Sequence, residues 1–364
     1  MRITFVTPFF SHKGGIRVVA SYARHLAARG HQVTVVSTPQ ARPGPVGQMK
    51  ARLLGRKLPP PPEIARSRLL DDTPVRRIEI EARRPVTDSD VPDGDVVIAT
   101  WWETAEWVAA LSPSKGRKAY LIQDYEMFRP EDRARVAATY ATPLQKIAVS
   151  GWIADQIATH HGIDDVSVLA NAVDTGHFTA PKRAKTEPLT VGFLYTPVPR
   201  KNIALASAAL ELARTAIPGL KAEIFGARSP DQDCPVPDWA RFHLSPPEAA
   251  IPGIYAACDL WLFTSHHEGF GLPLLEAMAC RTPVLATAAG AAPDLIDGRN
   301  GRILAPEAEA FAAAMADFAA MPDRDWQTWS EAALQTGQRL GWETQTDALE
   351  TLLSAASHNA APDR

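Results

Sequence analysis

Residues 1–37 read MRITFVTPFFSHKGGIRVVASYARHLAARGHQVTVVS. The apolar run at residues 3–8 has the length and composition of a short buried strand. A loop with Gly14 and Gly15 follows, and apolar residues then recur at helical spacing. This pattern stops at a glycine, and residues 33–37 form a second short apolar run. The stretch therefore predicts strand, loop, helix and strand, which is the beginning of a parallel α/β sheet.

The same alternation continues along the chain in two series. Further strands of the first series are predicted at residues 96–99, 119–122, 146–149 and 164–170. The second series has predicted strands at residues 189–194, 221–225, 259–264 and 283–287, and predicted helices at residues 203–216 and 272–280. We therefore expect an α/β protein of two doubly wound, Rossmann-like domains, with a ligand cleft between them.

Composition excludes several classes of protein. The 364 residues carry a net charge of −3, whereas nucleic-acid-binding proteins need strongly basic surfaces. Three cysteines without close spacing predict reduced thiols and a reducing compartment. No stretch approaches the roughly 20 apolar residues that span a bilayer, and the amino-terminal residues enter a strand directly. We expect a cytoplasmic enzyme that does not bind nucleic acid.

The sharpest local signal is the string EGFGLPLLE at residues 268–276. It follows a predicted strand and enters a predicted helix, so the first amide N–H groups of that helix are available to an anion. Gly269 and Gly271 allow the backbone to approach a ligand closely. Glu276 lies about one turn inside the helix, where a carboxylate can accept hydrogen bonds from a ribose diol.

Five segments resemble, in chain order, motifs of the family-4 retaining glycosyltransferases. They are VSGW at 149–152, NAVDTGHF at 171–178, the E-x(7)-E string at 268–276, EAMACRTPV at 276–284 and AGAAPD at 289–294. Two positions depart from the family pattern, because Arg281 replaces a Gly and Asp294 replaces a Glu. Together the resemblance covers most of residues 1–355.

The resemblance implies a GT-B fold, in which two Rossmann-like domains face each other. Residues 1–170 would form the acceptor-side domain and residues 171–341 the donor-binding domain. The helix at 342–356 would pack back on the first domain, before a disordered tail at 357–364. The implied reaction transfers a sugar from a nucleoside-diphosphate sugar, with retention of configuration, without a metal and without a cofactor. Consistently, the Asp-x-Asp pairs of the sequence do not directly follow a predicted strand, as a metal-dependent enzyme would require.

Two further segments are predicted to serve the donor. Arg200 and Lys201 precede a predicted helix, where two cations can stabilise a departing diphosphate. Lys201 resembles the family lysine that holds the donor phosphates. Gly14 and Gly15 lie in the loop that family members use near the donor. The expected donor-binding residues are Gly14, Gly15, Arg200, Lys201, Glu268, Gly269, Phe270, Gly271, Leu272 and Glu276.

The acceptor side is predicted at QDYE, residues 123–126, which follow a predicted strand. Most relatives carry a His where this chain has Gln123, and similar Gln-Asp-x-Glu strings occur in rhamnosyltransferases of bacterial surface polysaccharide assembly. We expect Asp124 or Glu126 to handle the acceptor proton. The expected catalytic residues are Glu268, Asp124, Glu126 and Lys201, and the expected acceptor is a glycan or a lipid-linked sugar.

Two other functions are compatible with these motifs. Another GT-B enzyme, an epimerase or a phosphorylase, would bind a similar nucleotide or phosphate. A sugar-nucleotide-binding subunit without activity is also compatible, because the family His is replaced by Gln123.

Residues 42–84 are unusually basic. They contain eleven Lys or Arg and five acidic residues, a net charge of +6 in a chain whose total is −3. Leu53, Leu54 and Leu58 lie among these cations. The composition favours either a solvated loop or contact with an anionic membrane surface, where each basic residue contributes about 1 kcal/mol at low salt.

We predict that the protein sediments with vesicles containing anionic lipid at low salt and is released as the salt concentration rises. Vesicles of neutral lipid are the control, since electrostatic attraction requires their anionic counterparts. If anionic vesicles at low salt bind no protein, the basic stretch is a solvated loop.

Overall fold

The computed structural model describes residues 1–10, 14–39, 49, 52–53, 69–127, 130 and 132–355. The chain divides into two compact units. The first contains residues 1–148, 156–167 and 346–364, and the second contains residues 149–155 and 168–345. Most of the basic stretch at residues 42–84, including Leu54 and Leu58, lies outside the described residues.

The first sheet is built from strands β1 (Arg2–Thr7), β2 (Gln32–Ser37), β3 (Arg76–Glu79), β4 (Val96–Ala99), β5 (Arg117–Ile122), β6 (Gln145–Ala148) and β7 (Val166–Val168). The strand order is β3-β2-β1-β4-β5-β6-β7. Strand β1 pairs in parallel with β2 and with β4. Among the described residues, the helices that accompany these strands are α1 (Gly14–Ala28), α2 (Trp102–Ala110), α3 (Arg133–Tyr140) and α4 (Gly151–His161), of which α4 begins in the second unit.

The second sheet has strands β8 (Thr190–Tyr195), β9 (Lys221–Gly226), β10 (Arg241–Leu244), β11 (Leu260–Phe263), β12 (Val284–Ala286) and β13 (Gly301–Ile303), in the order β10-β9-β8-β11-β12-β13. Its helices are α5 (Ile203–Ala216), α6 (Ile251–Ala257), α7 (Leu272–Ala279), α8 (Ala292–Leu295), α9 (Ala308–Ala320) and α10 (Asp323–Arg339). The core of this unit lies between the central strands and helices α5 and α9.

The predicted fold class, two Rossmann-like parallel α/β units, is confirmed. Each central strand corresponds to an apolar run of the sequence, and β4 and β11 are buried along their whole length. Strands β3, β10 and β13 were not predicted. All three are sheet edges, with the sequences RRIE, RFHL and GRI, and most of their side chains are half-buried or exposed. An edge strand can keep such polar residues, so the pattern of a buried strand is absent.

Ion pairs hold the final helix, α11 (Trp342–Ala355), to other residues of the first unit. The Arg29 guanidinium donates to Asp347 at 2.6 Å and to Glu350 at 2.7 Å. The His31 ring lies 2.5 Å from the other carboxylate oxygen of Glu350. Within the part of the chain that the structure describes, every helix is too short or too polar to cross a membrane.

We predict that Gly192→Ala, in the centre of β8, lowers the free energy of unfolding by about 1–3 kcal/mol, because it overpacks the core. An added Cβ would lie 2.5 Å from the Trp261 ring and 2.6 Å from the Cys258 sulfur. Gly253→Ala in α6 is the control, since its Cβ meets no heavy atom within 4 Å. Urea unfolding measures both variants, and equal stability of the two would contradict the prediction.

Candidate active site

The turn between β11 and α7 carries the two glutamates of the 268–276 string. Gly271 is the N-cap residue just before α7 and has φ +97°, a backbone conformation that strains any residue with a Cβ. A Cβ there would also lie 2.5 Å from the Phe263 ring at the end of β11. Leu272 and Pro273 form the first turn of α7, so the early amide groups of the helix follow Glu268 closely.

Glu268 is a buried carboxylate, only 5% exposed. The Ser265 hydroxyl donates to it at 2.8 Å, and the Lys201 ammonium forms an ion pair with the same oxygen. The Arg200 guanidinium lies 3.6 Å from the second oxygen. The Lys201 and Arg200 side chains stay 20% and 34% exposed. The cluster therefore presents two partly exposed cations around one buried anion.

Backbone contacts bring the two cations to this place. Arg200 and Lys201 lie in a short 3-10 turn, Pro199–Lys201, after β8. The amide of His266 donates to the Arg200 carbonyl at 2.8 Å, and the Thr264 hydroxyl donates to the Asn202 carbonyl at 3.1 Å. The two segments, far apart in sequence, are thus held side by side at the end of the second sheet.

Glu276 has a different environment, in the second turn of α7. The Tyr255 hydroxyl donates to its Oε2 at 2.7 Å. Tyr255 is completely buried, and burial together with the neighbouring carboxylate raises the pKa of its phenol well above the usual value. The phenol therefore remains protonated and acts as a hydrogen-bond donor to Glu276.

Three other segments support this turn. The Ser150 hydroxyl donates to the Gly269 carbonyl at 2.6 Å, and the amide of Gly151 donates to Asp294 at 2.7 Å. The amide of Ala291 donates to the Phe270 carbonyl at 2.9 Å. Through these contacts, the segments at 149–152 and 289–294 both support the turn between β11 and α7.

His267, which the sequence gave no reason to select, lies beside Glu268. Its ring stacks on Trp152 with centroids 6.1 Å apart and an interplanar angle of 13°. Burial, and then the Arg200 charge, lower the pKa of His267, so the ring is held neutral at physiological pH. Its neighbour His266 is exposed.

In the first unit, Gly14 and Gly15 form the first residues of α1 rather than a loop. A Cβ at Gly15 would lie 3.2 Å from the Gln123 side-chain oxygen. Gln123 donates to the Thr100 carbonyl at 3.4 Å, and its Oε1 is buried without a hydrogen-bond partner among the described residues. The predicted glycine pair and the predicted acceptor string are therefore neighbours.

Asp124 and Glu126 differ sharply in exposure. Asp124 is half-buried and accepts the amide of Tyr125 at 2.9 Å. Glu126 is only 2% exposed and accepts the Trp102 amide at 2.7 Å and the Tyr120 hydroxyl at 3.1 Å. Burial raises the pKa of Glu126 well above its usual range. An acceptor base must contact its substrate, so these contacts argue against that role for Glu126 and give it a structural role at the start of α2.

Each half of the chain matches a known family model. Residues 13–177 match the model of Glycosyltransferase Family 4, and residues 177–335 match the model of Glycosyl transferases group 1.

Proteins with similar sequences are named glycosyltransferases. A D-inositol 3-phosphate glycosyltransferase of Actinosynnema mirum is 30% identical over 210 residues, which are 48% of this chain and 49% of that protein. An O-antigen chain mannosyltransferase B of Escherichia coli is 31% identical over 110 residues, 30% of this chain and 28% of that protein. The chain thus spans half or less of the length of these relatives.

Solved structures share the fold over nearly the whole chain. Anabaena HepE in complex with UDP superposes with a TM-score of 0.71 at 18% identity, and the match covers 98% of this chain and 100% of HepE. The UDP-glucose complex of HepE gives a TM-score of 0.69 at 17% identity, with coverage of 98% and 100%. With the two parallel sheets, these neighbours establish the GT-B fold.

Proposed function

We propose that this chain, which combines family-4 and group 1 glycosyltransferase regions, transfers a hexose or deoxyhexose from a nucleoside-diphosphate sugar to a glycan or lipid-linked acceptor. The observation that carries the proposal is the cluster of Arg200, Lys201 and Glu268 next to the start of α7. Two cations and free helix amides are suited to a diphosphate, and HepE, which shares the fold, binds UDP and UDP-glucose.

The two glutamates would bind different parts of the donor. Lys201 and Arg200 would share their charge with the diphosphate and stabilise it as it departs. Glu268, which these cations contact, would then accept hydrogen bonds from the sugar hydroxyls. Glu276 would accept hydrogen bonds from the ribose, as acidic residues do in other nucleotide-binding folds.

The transfer would retain the configuration of the sugar. The bond between the anomeric carbon and the phosphate oxygen breaks, an oxocarbenium-like centre forms, and the acceptor hydroxyl bonds to the same face. We assign the acceptor proton to Asp124, which follows β5 and is the more exposed carboxylate of its string.

Synthesis of a cell-surface polysaccharide is the context that we propose. The similarity to an O-antigen chain mannosyltransferase supports it, as do the Gln-Asp-x-Glu residues at 123–126. Contact of the basic stretch at 42–84 with an anionic membrane would bring the enzyme to a lipid-linked acceptor.

We predict that Glu276→Ala weakens binding of the nucleoside diphosphate by a factor of about 5–100, because a bound polar group loses its partner. Glu268→Gln should instead lower the turnover number with a smaller effect on nucleoside-diphosphate affinity, since Glu268 serves the sugar. Calorimetric binding of UDP, GDP and ADP, followed by transfer assays, separates the two effects. Wild-type affinity and turnover in both variants would refute the donor site.

We predict that transfer survives exhaustive chelation of divalent cations. Among the residues that the structure describes, no three His, Cys, Asp or Glu side chains are grouped as metal ligands would be. Arg200 and Lys201 can supply the charge that a metal provides in other transferases. Activity measured with EDTA, before and after Mg²⁺ or Mn²⁺ is restored, checks the point. A strict requirement for added metal would contradict it.

We predict opposite behaviour for two carboxylates of one string. Asp124→Asn should lower the transfer rate by about 10²–10⁴-fold while donor affinity is kept, since it removes a general base. Glu126→Gln should leave transfer largely unchanged and alter the pH dependence of stability instead.

The sign of that pH dependence follows from the raised pKa of Glu126. The folded chain keeps a proton that the unfolded chain releases above about pH 4.5, so stability falls as pH rises, by at most about 1.4 kcal/mol per pH unit. Urea unfolding at several pH values should show a flatter slope for Glu126→Gln. An unchanged slope together with lost transfer would restore Glu126 as the base.

A further inference from the structure

Tyr255 in helix α6 reaches Glu276 in helix α7 through a single hydroxyl. The phenol donates to Oε2 at 2.7 Å, and the tyrosine is 0% exposed. Tyr255 belongs to none of the motifs at residues 149–152, 171–178, 268–284 or 289–294, and a side chain with no exposed surface cannot itself contact a donor. Its hydroxyl nevertheless ends on the carboxylate assigned to the ribose.

The phenol ring is held by its neighbours on several sides. The Trp261 ring lies edge-on with centroids 4.5 Å apart, and the Phe225 ring lies at 90° with centroids 5.5 Å apart. The Phe178 ring packs against the same ring at 6.1 Å. The backbone of Tyr255 is fixed as well, because its carbonyl accepts the Thr282 hydroxyl at 2.8 Å. The hydroxyl therefore has one well-defined position.

The fixed, neutral hydroxyl of Tyr255 affects how the Glu276 carboxylate can bind a ligand. It holds one oxygen of Glu276 in place, so the side chain is ordered before a ligand arrives and less conformational entropy is lost on binding. The phenol is neutral, so it adds no positive charge to the carboxylate. An ordered carboxylate is a strong acceptor for the two hydroxyls of a ribose.

We propose that Tyr255 is a positioning residue, which orients Glu276 through the 2.7 Å hydrogen bond and thereby favours donors that carry a ribose diol. The proposal rests on the function proposed above, in which Glu276 binds the ribose. The proposal predicts that removing the Tyr255 hydroxyl weakens nucleotide binding only when Glu276 and the ribose diol are both present.

The test compares Tyr255→Phe with wild type, because this change removes one oxygen and keeps the packed ring. Affinity is measured by calorimetry for the ligand among UDP, GDP and ADP that the wild type binds, and for its 2′,3′-dideoxy counterpart. We expect the ribonucleoside diphosphate to bind about tenfold more weakly to the variant. The dideoxy ligand should bind both proteins equally, since it has no diol for Glu276 to accept from.

Thr336→Val is the matched control for the loss of a buried hydroxyl in the same unit. The Thr336 hydroxyl accepts from Asn300 at 2.9 Å and donates to the Ala332 carbonyl at 3.1 Å, in helix α10. The control should lower the melting temperature and leave the affinity for both ligands unchanged. Equal weakening of both ligands by Tyr255→Phe, or no weakening of either, would overturn the proposal.

A double-mutant cycle separates this inference from the proposed function. In the Glu276→Ala background, Tyr255→Phe should have no further effect on ribonucleoside-diphosphate affinity, and additive effects would overturn the positioning role. If Glu276→Ala itself fails to reduce the preference for the ribose diol, the ribose assignment of Glu276 fails, and the inference fails with it. If Glu276→Ala reduces that preference but Tyr255→Phe does not, only the inference fails.

Discussion

The burial of the Glu268 carboxylate is the constraint on which the donor region depends. A buried charge is costly unless cations and hydrogen-bond donors surround it, and here Lys201, Arg200 and Ser265 do so. Meeting this need brings the turn after β8 against the turn after β11, and hydrogen bonds from the Thr264 hydroxyl and the His266 amide fix the same arrangement. The partners of the carboxylate are also the cations suited to a diphosphate, so one cluster serves both the fold and the proposed chemistry.

The sequence predicted the central strands well because a strand buried on both faces must be apolar along its length. Strands β4 and β11 are buried and apolar along their whole length, whereas β1 is buried after its first residue and β5 after its first two. The rule fails at sheet edges, where one side of a strand faces solvent. The Arg76–Glu79 and Arg241–Leu244 segments pair with their neighbours through backbone groups, and backbone pairing leaves no pattern in the side chains. Three of the four edge strands, β3, β10 and β13, are therefore the strands of this fold that the sequence did not predict, whereas the edge strand β7 lies within the predicted strand at residues 164–170.

At the candidate site, sequence order showed which chemical groups are present but not what surrounds each one. Asp124 and Glu126 are two residues apart and chemically alike, yet one is half-buried and the other lies in the core beneath Trp102 and Tyr120. Only tertiary packing distinguishes them.

Arg281 is a second residue whose surroundings could not be predicted from the sequence. Its φ of +65° lies in a region where a glycine would be unstrained. Its guanidinium offsets that strain by donating to Glu331 at 2.6 Å and to the Ala180 carbonyl at 3.0 Å.

Glu268 and Glu276, the two glutamates of the 268–276 string, differ in the groups that contact them. Glu268 shares its charge with two cations, so phosphate binding to those cations and hydroxyl binding to that carboxylate influence each other. Glu276 accepts a hydrogen bond from a neutral phenol, which orders the carboxylate without adding a positive charge. A donor that brings both a diphosphate and a diol therefore meets two carboxylates with different partners, eight residues apart in sequence. This difference follows from burial, because an almost fully buried carboxylate needs cations, whereas a half-buried one keeps part of its contact with solvent.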